Sequence, residues 1–112
     1  MTQRRDWAAG FLALAVFLAA VLPAALAADA VTISQRNRKF APDAVEIQRG
    51  TVLHIVNDDR VTHHVYVDSP SMKFDSGEQP MGTAVDLPFD RAGTFTVLCA
   101  IHPTMKLVVT VR

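Results

Sequence analysis

From residue 31 onward the apolar positions come in short alternating runs, such as Val45 and Ile47, Leu53 and Ile55, and Phe95 and Val97. A period of two places such residues on one face of a β-strand. The pattern predicts strands at Val31–Gln35, Ala44–Gln48, Thr51–Asn57, His64–Asp68, Thr83–Phe89, Thr94–Cys99 and Lys106–Arg112. Turn-forming residues separate them: Asn37 to Asp43 with Pro42, Arg49-Gly50, Asn57-Asp58-Asp59, Ser69-Pro70, Ser76-Gly77, Pro80 to Gly82 and Arg91-Ala92-Gly93. Met72-Lys73-Phe74-Asp75 adds a short strand to the otherwise elementless stretch from Ser69 to Pro80. No helical period, internal repeat or second domain is present. Seven to eight short strands with turns this frequent predict an all-β sandwich.

The first 27 residues follow a different rule. Arg4 and Arg5 precede an unbroken apolar run from Phe11 to Leu22; Pro23 ends it, and Ala25-Leu26-Ala27 forms a small-residue cleavage site. This layout predicts a cleavable signal peptide over 1–27, a mature domain over 28–112 and a periplasmic location. The apolar run is short and alanine-rich for a spanning helix, and no cysteine stands at the cleavage point to take a lipid. No stable membrane insertion is expected after cleavage. Arg4-Arg5 resembles the start of a twin-arginine export signal, but Asp6-Trp7 is a poor continuation, so both export routes stay open.

Of the 11 basic and 11 acidic residues, the leader holds two and one, which leaves nine and ten and a formal charge of −1 on 85 residues. A domain of that size sits near the lower limit at which a core sustains itself, and a metal bound only by the folded state would add stability. No basic stripe or aromatic-interleaved patch points to nucleic acid. One cysteine cannot make an internal disulfide; it is a free thiol, an intermolecular bridge or a metal ligand.

That cysteine, Cys99, opens the stretch Cys99-Ala100-Ile101-His102-Pro103-Thr104-Met105. On a helix, donors at i, i+3 and i+6 would spread over roughly 9 Å of axis, too far for one ion. Pro103 and the neighbouring β-branched residues also oppose a helix. On a tight loop leaving a strand, the thiolate, imidazole and thioether can converge. With one imidazole from elsewhere they make His₂Cys with a weak axial Met, the donor list of a type 1 copper site. His63, in Thr62-His63-His64-Val65, is the candidate for that imidazole.

The motifs together resemble the cupredoxins of the plastocyanin/amicyanin type, over nearly all of residues 31–112. They are Phe40-x-Pro42, Ile47-x-x-Gly50, Leu53-x-Ile55-x-Asn57, His63, Phe74-Asp75-Ser76-Gly77, Gly93-Thr94-Phe95, Cys99-x-x-His102-Pro103-x-Met105 and Val109-x-Val111. The two-residue gaps on either side of His102 resemble amicyanin's short loop. Thr62, His64 and Leu107 depart from its usual residues without removing a ligand.

The resemblance implies a Greek-key β-sandwich that binds one copper ion, cycling between Cu(I) and Cu(II), through His63, Cys99, His102 and Met105. It selects His63 over His64 because the family's first ligand lies six residues after the strand-closing Asn, here Asn57. Asn57 resembles the residue that ties the two ligand segments together. His64 falls on the opposite side of an extended segment, and His54 reads as a mid-strand residue. The implied function is a monomeric periplasmic carrier of single electrons, not an enzyme. Its redox partners would dock near His102, on an apolar rim of Ile101, Pro103 and Met81. Rival readings are a copper storage, delivery or sensing module, and a cupredoxin subunit docked in an oxidase or dehydrogenase complex.

Overall fold

The computed structural model describes residue 2 and residues 13–16 and 29–112. The expected leader therefore lies outside the described residues except at those few positions. Among the described residues there is no helix long and apolar enough to cross a membrane.

Among the described residues nine strands form two sheets: β1 (Ala30–Arg36), β2 (Lys39–Ala41), β3 (Ala44–Ile47), β4 (Thr51–Asn57), β5 (Val65–Ser69), β6 (Met72–Asp75), β7 (Ala84–Phe89), β8 (Gly93–Cys99) and β9 (Lys106–Val111). One sheet runs β2-β1-β4-β7 and the other β3-β9-β8-β5-β6. β1 pairs parallel with β4 and β3 parallel with β9, while the remaining pairs are antiparallel. The parallel pairs arise because the chain crosses to the second sheet at β3 and returns beside β1 at β4.

The count exceeds the expected seven to eight by one strand, β2, which falls inside a segment read from sequence as turn. Arg36 pairs with Lys39, so only Asn37 and Arg38 turn the chain, both with positive φ (52° and 56°). That is the geometry of a two-residue hairpin turn whose twist matches the flanking strands. Asn favours it; Arg at the second position hides it.

Alternation buries one side of each sheet. β4 alternates between buried and half-buried positions throughout, and β9 places Leu107, Val109 and Val111 inward. Ile33, Leu53, Ile55, Leu87 and Phe89 of the first sheet meet Val65, Val67, Phe95, Val97, Leu107 and Val109 of the second. The Phe89 and Phe95 rings pack at 5.6 Å between centroids. The core continues to one end of the sandwich through Cys99 and Met105, each 1% exposed, which leaves the loops there to be shaped by polar groups.

Candidate metal centre

Two segments at that end carry the donors. The first leaves β4 at Asn57 and reaches His63 through a turn fixed by the Asn57 side chain. Asn57 Nδ2 donates to the carbonyls of Val61 and Gln79, both at 2.9 Å, and its Oδ1 accepts the Asp59 amide at 3.0 Å. His63 then exchanges two backbone hydrogen bonds with Gln79, at 3.0 and 2.7 Å. The second segment leaves β8 at Cys99 and enters β9 at Lys106. A bond of 3.0 Å from the Met105 amide to the His102 carbonyl closes it into a tight turn.

Asn57 was expected to tie the two segments together, yet its bonds run to Val61, Gln79 and Asp59. The tie is made by the backbone of His64. Its amide donates to Cys99 Sγ at 3.4 Å, and its carbonyl accepts the Ala100 amide at 2.9 Å. The His64 side chain turns away and meets Asp75. His54 pairs with Asp86 on the outer face of the first sheet.

The structure places His63 against both Cys99 and His102. Cys99 Sγ faces His63 Nδ1 at 3.7 Å, and the imidazoles of His63 and His102 meet edge to face at 5.1 Å. Met105 is buried at the end of the same turn. His102 is half-buried.

Asp59 was not singled out from sequence. Its Oδ2 contacts His63 Nε2 at 3.1 Å and accepts the Arg38 amide at 2.8 Å, while Oδ1 accepts the Arg60 amide. The Arg38 amide above all, then the Arg60 amide and His63, hold its carboxyl down to about 2 against the opposing effect of burial. Burial pushes the His63 pKa down, partly offset by Asp59. The imidazole is therefore neutral with a single proton. A carboxylate can only accept, so that proton sits on Nε2 and the Nδ1 lone pair faces the thiol. The only sequence signal for Asp59 was a carboxylate four residues before the histidine.

Does this arrangement fit a copper ion? Among the described residues no three His, Cys, Asp or Glu side chains are already gathered in metal-holding geometry, so the fit rests on other observations. Two ligands each about 2.0–2.3 Å from one ion stand about 3.7 Å apart at an angle near 120°, the separation found between Sγ and Nδ1. His102 Nε2 is buried without a hydrogen-bond partner among the described residues, an orphaned nitrogen of a residue whose ring already faces His63. Thiolate, imidazole and thioether suit a soft or borderline metal. The residues fit.

A two-sheet sandwich with a buried thiol, two imidazoles and a thioether at one end defines a class of small β-proteins built around a metal pole. The chain belongs to the cupredoxin-like family, whose model matches residues 8–111. It is 31% identical over 113 residues to the methylamine utilization protein MauL of Methylophilus methylotrophus, covering 87% of this chain and 65% of that protein. A reduced amicyanin variant has a similar fold, with a TM-score of 0.70 at 21% identity over 77% of this chain and 85% of the other. The purple cupredoxin of Nitrosopumilus maritimus resembles it at a TM-score of 0.66 and 24% identity, over 73% of this chain and 99% of the other.

Proposed function

We propose that this cupredoxin is a type 1 copper protein that carries single electrons between periplasmic redox partners and is not an enzyme. The observation that carries the reading is the buried Cys99 Sγ facing Nδ1 of His63 at 3.7 Å, with the His102 ring against that of His63 and its Nε2 buried without a partner among the described residues. His63, Cys99 and His102 would hold the ion, and Met105 would add a weak thioether donor. When bound, copper supplies a one-electron couple between Cu(I) and Cu(II).

Everything else is done by the chain. Asp59 keeps the His63 proton on Nε2 and its lone pair inward. The His64 amide donates to Cys99 Sγ, which stabilises negative charge on sulfur. The core behind Cys99 and Met105 excludes water. His102 is the half-buried donor, and the exposed apolar side chains of its neighbour Ile101, at 46%, and of Met81, at 65%, would supply the rim on which a partner docks. The protein acts as a monomer, with residues 1–27 as a cleaved leader and 28–112 as the working domain. A delivery or storage module calls for accessible, loosely held donors; burial of His63, Cys99 and Met105 favours the carrier.

The test is the absorption spectrum of purified protein titrated with Cu(II). An intense visible thiolate-to-copper band saturating at one copper per chain is expected. A colourless complex, or several weak sites, would sink the proposal.

A further inference from the structure

Three amide side chains lie fully inside the sandwich near His63: Gln35 and Asn57 at 0% exposure and Gln79 at 1%. Buried polar groups cost stability unless every atom is paired, and an apolar side chain of the same size would fill this space at lower cost. Gln79 is fully paired. Its Nε2 donates to the carbonyls of Ile55 and Thr83, both at 3.0 Å, and its Oε1 accepts from Gln35 Nε2 at 2.7 Å. Its backbone makes both bonds of the bridge to His63, and its carbonyl also accepts from Asn57 Nδ2. One residue thus fastens the His63 segment to β1, to β4 and to the residue leading into β7.

Gln35 shows what the arrangement is for. Its Oε1 is buried without a partner among the described residues, so its own side chain is a liability to the core. The one side-chain hydrogen bond it makes among the described residues serves Gln79. We propose that Gln79, held by Gln35, is a positioning residue for the metal centre: it clamps the His63 backbone to the first sheet, so that Nδ1 keeps its place against Cys99 whichever oxidation state is present. The role is distinct from that of Asp59, which sets the tautomer and ring orientation. Gln79 sets where the ring is carried. This inference rests on the proposed copper function for its second half, while the clamp itself needs no metal.

The experiment uses the full chain, with and without copper, and compares the parent with Gln79→Met, Gln35→Leu and the double variant. Gln79→Met keeps the volume and the backbone bridge but removes all three side-chain bonds. In the metal-free protein, hydrogen exchange at the His63 amide is expected to accelerate about tenfold in Gln79→Met and less in Gln35→Leu. In the copper-loaded protein, electron self-exchange should slow by roughly tenfold, with an altered copper hyperfine splitting. The double variant should be no worse than Gln79→Met, because both act through one chain of bonds.

Unchanged His63 exchange in both single variants would overturn the clamp. Unchanged self-exchange and hyperfine splitting in a blue Gln79→Met protein would overturn the positioning role. If Gln79→Met does not fold, Gln35→Leu decides the same points with the backbone and Gln79 intact. A parent that never turns blue removes the copper function and leaves the metal-free result to judge the clamp alone.

Discussion

Asp59 decides what His63 can be: with its carboxylate on Nε2, the ring has only Nδ1 left to offer, and Nδ1 faces Cys99. Replacing Cys99 by Ser should abolish the blue band, since a hydroxyl cannot replace the soft thiolate. His63→Ala should open one of the strong positions. His64→Ala should leave the spectrum nearly unchanged, because what His64 gives the site is a backbone amide that alanine retains. Absorption spectra of the copper-loaded variants check this; swapped results for the two histidines would reverse the assignment.

Met105 would act at the same scale: as the proposed thioether donor, its bond would be long and weak and would tune the ion more than hold it. Met105→Leu nearly conserves volume and should keep one blue copper with a raised potential, since loss of a sulfur donor disfavours Cu(II) more. Met105→Gln should lower the potential because oxygen supports Cu(II). Voltammetry that finds both variants equal to the parent would make Met105 a packing residue.

Strands and turns carry these residues to their places, and each turn has its own demand. Gly93 opens β8 at φ 144°, a conformation that side chains rarely adopt, with the Phe95 ring 3.5 Å from where a Cβ would stand. Gly93→Ala should destabilise the protein by about 1 kcal/mol or more, read as a lower urea midpoint with unchanged slope. Its copper spectrum should stay that of the parent, because Gly93 and Cys99 sit at opposite ends of β8. Most of these elements were legible in the sequence, because half-buried strands write their faces into a period of two. β2 was not, because it is three residues long and its hairpin turn lacks the glycine that usually marks one. The short strand at Met72–Asp75 was legible, and it pairs with β5 as an edge.

The whole domain is small, and its core runs directly into the candidate metal centre: Cys99 and Met105 belong to the same buried cluster as Val97 and Leu107. Under the proposed function copper binding and folding would be coupled, since an ion held only by the native state stabilises it in proportion to the logarithm of its concentration. Removing copper with a chelator should lower the Tm, and the difference should grow with free copper in the loaded sample. Differential scanning calorimetry at two copper concentrations measures it. A Tm indifferent to copper would mean that the folded protein does not bind the ion appreciably at those concentrations.

By itself the sequence determined the β-sandwich and the stretch from Cys99 to Met105, because both are local: alternation needs only neighbouring residues, and a seven-residue loop carries three donors within one turn. It offered His63 as a candidate but chose it over His64 through a family resemblance, since that residue lies 36 positions from Cys99 and no local rule joins them. The tertiary structure alone decided that Asp59 fixes the tautomer, that the His64 backbone rather than Asn57 ties the two segments, and that Gln35 and Gln79 meet inside the core. Those contacts join residues up to 44 positions apart. A buried glutamine has no periodicity or motif to announce it; its partners exist only once the two sheets have closed over it.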